Sequence, residues 1–324
     1  MNRRPDLDAA RGIGMLLVII GHATPPATLQ TWIYGFHMPL FFVISGLLWR
    51  GQVRLAHSAR ALLLPFLIAS LVSWGLWLAK QQLHRPDPVP WWGPLLATVY
   101  GGDLHGYLVH NTPLWFLPAM FSMLLGLWLA GRWLTSSGAV AALAAAGLLV
   151  AFWPQISASP ASPAWPASAA QGLIGAVFFA AGFALQHSPQ PRARRWIWLP
   201  AALAVYSLLT LSNGRVDLFS MQLQQPALYL AAGLVGSWWL ITACQWPWLQ
   251  HPLLLRLGRH SLLILAAHLP LLWILRALAQ RLHVPATWYL LTAFCAGAAL
   301  VATGWLERRS QGADTTEAGG RTAR

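Results

Sequence analysis

Apolar stretches of about 20 residues recur ten times along this chain of 324 residues, and that repetition limits it to folds that put most of their surface in lipid. A hydrocarbon core about 30 Å thick is crossed by about 20 helical residues rising 1.5 Å each. The runs fall at roughly 9–26, 34–50, 59–80, 113–131, 138–154, 170–187, 195–212, 225–243, 259–279 and 286–306. Apolar residues make up 57% of the chain and charged residues 9%, against about 25% charge in soluble proteins. Water could not keep such a surface in solution. The same counts exclude a disordered chain and a nucleic-acid-binding one. The expected fold is an all-α integral membrane protein, a bundle of about ten transmembrane helices.

Charge sets the expected orientation. The 21 basic and 8 acidic side chains leave a net +13, scattered between the apolar runs rather than gathered on one face. In a membrane protein such a surplus reports topology more than an anionic partner. With the amino terminus in the cytoplasm, fourteen arginines lie inside, among them Arg3, Arg4, Arg11, Arg50, Arg132, Arg192, Arg194 and Arg308. Five basic residues lie outside: Lys80, Arg85, Arg215, Arg276 and Arg281. An even number of spans returns the carboxyl terminus to the cytoplasm. Arg276 and Arg281, in the last outer loop, run against the rule. The first run ends in Gly21-His22-Ala23 with no small-residue cleavage site after it, so it is expected to stay as the first helix. Residues 1–309 read as one transmembrane unit, and 310–324 as a polar, disordered cytoplasmic tail. Cys244 and Cys295 lie inside apolar runs at a spacing that matches no metal or redox signature, so buried packing is expected of both.

Polar side chains within the spans mark where chemistry is expected, because placing them in hydrocarbon is costly. Arg11 and His22 are eleven residues apart, about 1100° of helix, so they share one face roughly 16 Å apart along the axis. That puts a cation at the cytoplasmic mouth and a proton acceptor deeper in, which suits an anionic donor entering from the cytoplasm. A snorkelling arginine and an interfacial histidine produce the same spacing. His37 opens the second run in Phe36-His37-Met38-Pro39-Leu40-Phe41-Phe42, on the same side of the hairpin as His22. Histidine titrates nearest neutrality, so it can take a proton from a hydroxyl and return it. Pro39 lies in the first turn, where its missing N–H costs little. Ser45-Gly46, two turns on, reads as a helix-packing site rather than a nucleophile.

Asn213 and Asp217 flank Gly214-Arg215-Val216 at the outer end of the seventh run. In a helix they would face together at i,i+4; Gly214 fits a turn equally well. Asp217 suits orienting a histidine or holding a sugar hydroxyl, with Arg215 as a candidate ion-pair partner. In Asn111-Thr112-Pro113-Leu114-Trp115-Phe116-Leu117-Pro118, Trp115 reads both as an interfacial tryptophan and as the wall of a sugar site. Leu257-Gly258-Arg259-His260-Ser261-Leu262 opens the ninth run. Arg259 and Ser261 there suit phosphates near a helix amino terminus. His268 falls near mid-membrane, where it needs a polar partner or an aqueous cavity. No P-loop, GxGxxG, HExxH or paired thiols occur, so no metal or nucleotide-fold site is expected.

In these blocks the sequence resembles acyltransferase family 3, the membrane O-acetyltransferases of carbohydrates, and within it the fucose 4-O-acetylase-like branch. Asp8-Ala9-Ala10-Arg11-Gly12 followed by Gly21-His22 resembles the family's first-helix pattern of arginine, ten residues, histidine. The His37 block with Ser45-Gly46 resembles its second-helix pattern. The Trp115, Asn213–Asp217 and Gly258–Ser261 blocks, with His268, resemble its later ones. Ala267 departs from the aromatic residue or leucine often found before that histidine. The resemblance spans residues 8 to about 270. It implies acetyl transfer from cytoplasmic acetyl-CoA, without a metal, to a hydroxyl of a sugar, polysaccharide or glycolipid. The protein would be a multi-pass one in contact with the lipids of a bacterial cytoplasmic (inner) membrane, with no nucleic-acid partner and self-association left open. Catalysis would fall to His22 as general base with His37 and Asp217. Arg11, Arg259 and Ser261 would hold the CoA donor, and Asn213, Trp115 and His268 the acceptor. A transporter or flippase of a sugar or glycolipid, using the same polar face without acyl transfer, is the alternative expectation, and an accessory subunit a third.

Overall fold

The computed structural model describes residues 4–83, 88–154, 165–187 and 195–321. Arg3, Arg85, the Pro-, Ala- and Ser-rich stretch at 155–164, Arg192, Arg194 and residues 322–324 lie outside the described residues. Helix α1 (Pro5–His22) begins on a proline and carries Asp6 and Asp8 in its first turn, where unpaired N–H groups and the helix dipole favour both. A short α2 (Ala27–Tyr34) follows Pro26 and leads into α3 (His37–Leu48), which keeps Pro39 in its first turn. Then come α4 (Leu55–Leu83), α5 (Gly93–Tyr100), a 3-10 turn at Thr112–Trp115, α6 (Phe116–Ala130), α7 (Ser136–Ala151) and α8 (Ala169–His187). The chain continues through α9 (Leu199–Asn213), α10 (Pro226–Ala243), α11 (Pro252–Arg259), α12 (Ser261–Arg281) and α13 (Trp288–Arg321). Helical backbone therefore runs on past residue 309, into the stretch that the sequence reads as a disordered tail.

Among the described residues the protein is all-α, and seven segments are long and apolar enough to cross a membrane: Ala27–Leu48, Leu55–Gln82, Thr112–Ala130, Pro166–Gln186, Pro226–Ala243, Ser261–Arg281 and Trp288–Arg309. The other three expected spans are helical but shorter or more charged. Helix α1 packs Asp6, Asp8 and Arg11 into 18 residues, and α7 and α9 have 16 and 15 residues. The outer surface is apolar: along α4, Leu64, Leu67, Ile68, Leu71 and Val72 all point outwards. Such a row is costly in water and at home in lipid. The chain is a multi-pass membrane protein.

Two helices organise the bundle. Helix α8 packs against α3, α6 and α7, and α1 against α3, α11, α12 and α13. Glycines let backbones touch at the main crossings, as small residues do between membrane helices. A Cβ on Gly46 of α3 would overlap the Phe179 carbonyl, and one on Gly182 of α8 the Val43 carbonyl. A Cβ on Gly12 of α1 would strike Leu254 O, and one on Gly258 of α11 would strike Asp8 O. Gly46 is thus a packing residue, as its sequence context suggests. Cys244 and Cys295 are buried and unpaired.

Pro270 sits inside α12. It has no N–H for the carbonyl of Ala266, one turn earlier. Asn111 fills the gap: its Nδ2 donates to Ala266 O at 2.8 Å and to Ser73 Oγ at 2.9 Å. The 3-10 turn that follows Asn111 is thereby fixed against α12 and α4. Beside it, His110 is enclosed with its Nε2 3.4 Å from Thr98 Oγ1. Burial pushes its pKa down to about 4, so it packs as a neutral ring.

Candidate active site

Two chambers lie end to end beside α1. One, of about 170 Å³, is lined by Arg11 and Met15 of α1, Met38, Phe41 and Ser45 of α3, Leu62 of α4, Phe116, Leu117 and Met120 of α6, and Ser261, Leu262 and Leu265 of α12. The other, of about 240 Å³, is lined by Val18 and His22 of α1, Tyr34, His37, Met38, Thr112, Pro113 and Trp115, Asp217, Leu218 and Phe219, Tyr229, Leu265 and Leu269. Met38 and Leu265 line both, so the chambers abut across this pair. Arg11 and His22 therefore open onto one continuous side of α1, as their spacing requires.

The His22 chamber is built around imidazoles whose Nδ1 atoms face backbone carbonyls. A carbonyl oxygen only accepts hydrogen bonds. His22 Nδ1 lies 3.0 Å from Val18 O, and His37 Nδ1 lies 3.0 Å from Ile33 O. Each Nδ1 must therefore carry the proton, which leaves each Nε2 as a lone-pair acceptor. His268 repeats the pattern, with Nδ1 2.8 Å from Leu265 O and an enclosed Nε2 that has no partner among the described residues. Its ring meets His22 edge-on at 5.1 Å. Tyr34 stands between the first two histidines, 6.3 Å from His22 and 4.8 Å from His37. Among the described residues, no three His, Cys, Asp or Glu side chains are grouped to hold a metal ion.

Asp217 reaches this chamber on a turn rather than a helix. Helix α9 ends at Asn213, and Gly214 takes φ +81°, a backbone conformation open mainly to glycine. Asp217 then pairs with Gln222 through two backbone bonds of 2.9 Å. Asn213 and Asp217 thus share no helix face. The Asn213 side chain braces the turn instead. Its Nδ2 donates to Leu223 O at 3.1 Å, and its Oδ1 accepts from Gln225 N at 2.9 Å. Replacing Asn213 with alanine leaves Leu223 O unpaired in a buried place and Gln225 N unpaired in a part-buried one. We expect a loss of about 1–3 kcal/mol, read as a lower unfolding temperature of the detergent-purified protein. One Asp217 oxygen accepts from Phe219 N at 3.0 Å. Arg215 does not join it, but lies over the Tyr34 ring at 5.3 Å.

The remaining expected residues divide. Trp115 lines the His22 chamber, and Ser261 opens α12 on the wall of the Arg11 chamber. Arg259 turns away to the surface, where its Nη2 pairs with Glu307 at 3.1 Å, beside Arg256 at 3.0 Å and His260 at 3.3 Å. Tyr34, Thr112 and Tyr229 are polar lining residues that sequence reasoning missed. Each sits at a helix end where an interfacial side chain is ordinary. Arg276 was legible only as an exception to the charge rule. Its Nη2 donates to His22 O at 2.8 Å, which satisfies a free carbonyl at the negative end of α1. Gln30 does the same for Gly21 O at 2.9 Å.

The chain matches the profile of acyltransferase family 3, described as an acyltransferase domain, over residues 4–306. No curated protein and no solved structure gives a match. The match takes in α1, which carries Arg11 and His22, every other wall of the two chambers and nearly all of the membrane-embedded chain. This membrane protein belongs to acyltransferase family 3.

Proposed function

We propose that the protein transfers an acyl group, acetyl, from acetyl-CoA entering at the Arg11 chamber to a hydroxyl of a sugar, polysaccharide or glycolipid held in the His22 chamber. The observation that carries this reading is the abutment of the two chambers across Met38 and Leu265. It lets one reactant approach from each end and meet near His22. Arg11, 3.6 Å from Asp8 and half-buried at its chamber wall, offers a cation to the anionic donor, and Ser261 a hydroxyl. His22 Nε2 takes the proton from the acceptor hydroxyl. The orienting role expected of Asp217 belongs to the Val18 carbonyl, which fixes the His22 tautomer. The Asp217 carboxylate instead favours the positive charge that develops in the same chamber. His37 and Trp115 position the acceptor. His268, edge-on to His22, holds that ring beside the acceptor. Asn213 acts through the turn that carries Asp217, and Arg259 meets donor phosphates only by exchanging Glu307 for them.

In this reading ten segments cross the membrane: α1, α7 and α9 in addition to the seven long ones. Both termini are cytoplasmic, and the Arg11 end faces inward. Residues 1–309 are the transmembrane acyltransferase unit and 310–324 a polar tail. The membrane is the bacterial cytoplasmic membrane. Within the family we assign the chain to the fucose 4-O-acetylase-like branch on the resemblance of its Asn213–Asp217 block.

The test is radiolabelled acetyl-CoA supplied to membranes containing the protein with a panel of glycan acceptors. Label on a glycan is the expected result. Movement of unmodified acceptor with no label incorporated would favour a transporter. Arg11→Ala should raise the KM for the donor by roughly tenfold or more, the loss of one charge-assisted contact, and leave the KM for the acceptor unchanged.

A further inference from the structure

Tyr229 sits in the first turn of α10, lines the His22 chamber and is buried. Its ring is held edge-on by Phe178, with centroids 5.7 Å apart, and its hydroxyl has no hydrogen-bond partner among the described residues. Among the described residues lining that chamber, it is the buried polar group left without one. Burying an unpaired hydroxyl is costly, and groups kept in that state call for an explanation.

The chamber's chemistry supplies one. Acyl transfer builds negative charge on the former carbonyl oxygen, and that oxygen needs a hydrogen-bond donor already in place. The histidines cannot provide it at the start, because their Nδ1–H groups are spent on Val18 O and Ile33 O and their Nε2 atoms accept. Thr112 Oγ1 donates to Leu108 O at 3.2 Å. The Tyr229 phenol is a donor at neutral pH, and among the described residues no acceptor stands beside it.

We propose that Tyr229 is a catalytic residue whose hydroxyl donates to the oxyanion of the tetrahedral intermediate. The proposal rests on the acyl-transfer reading above. The acceptor oxygen bonds to the thioester carbon, its proton passes to His22 Nε2, and the carbonyl electron pair moves onto oxygen, where Tyr229 O–H holds it. On collapse the C=O bond re-forms, the C–S bond breaks, and the departing thiolate takes the proton back from His22. The products are an ester and free CoA thiol.

The test is Tyr229→Phe in the full-length protein, assayed in membranes with labelled acetyl-CoA beside the wild type. The substitution removes a group without a partner, so the unfolding temperature and yield should hold. The kcat should fall about 10²–10³-fold, as on loss of one oxyanion donor, with the KM values for donor and acceptor little changed. Wild-type kcat in Tyr229→Phe would overturn the assignment. So would a loss confined to the acceptor KM, which would make Tyr229 a binding residue. A wild-type protein that transfers no label would instead overturn the acyl-transfer reading itself.

Discussion

Replacing His22 with alanine should reduce acyl transfer by about 10²–10⁴-fold, the usual worth of a positioned general base, while the protein still folds and inserts. The separation of the two effects follows from what the imidazole touches. Among the described residues its one hydrogen bond runs to Val18 O, one turn back in its own helix. The contact that ties this end of α1 to α12 is made by the His22 backbone carbonyl with Arg276, and alanine keeps it. The ring borders a chamber that is already open, so its removal enlarges a cavity rather than creating one. Initial rates at saturating donor, normalised to the amount of inserted protein, check the prediction. A His22→Ala protein that transfers at the wild-type rate would show that the base lies elsewhere.

A leucine at Gly258 should do the opposite and remove the folded protein. A Cβ there would overlap the Asp8 carbonyl, and the reciprocal glycine, Gly12, is seated against Leu254 O. Both contacts are backbone on backbone, so no side chain can swing aside. Helix α11 must back away from α1, and the turn leading to Ser261 moves with it. Overpacking costs typically 1–3 kcal/mol where side chains can adjust, so we expect about 3 kcal/mol or more here. The readout is the yield of monodisperse protein after detergent extraction and its unfolding temperature. Gly297→Leu is the control: a Cβ there meets nothing within 4 Å, and its yield should match the wild type.

Some of this was legible in advance for physical reasons. A helix fixes the angle between residues eleven apart, so the shared face of Arg11 and His22 follows from sequence alone. The all-α membrane fold follows from long apolar runs with few charges. Counting crossings is harder, because α1 carries three charges and α7 and α9 are short. Relations across the bundle carry no local signal. Asn111 reads as a loop residue until Pro270 is seen to leave Ala266 O free for it. Arg276 reads as a topological misfit until its contact with the end of α1, 254 residues away, is seen. At Asn213–Asp217, a sequence compatible with two conformations took the turn because Gly214 tolerates φ +81°, and the helical alternative disappeared. The pairing of Arg259 with Glu307 gave no local signal, because the carboxylate comes from another helix.

A donor and an acceptor approaching from opposite ends should meet between the two abutting chambers. Sealed vesicles of known orientation test it, with labelled acetyl-CoA on the face that carries the Arg11 end and a membrane-impermeant glycan acceptor confined to the other. Label should reach the acceptor across an intact membrane and be lost with His22→Ala. Label that appears only when donor and acceptor share one face would contradict it.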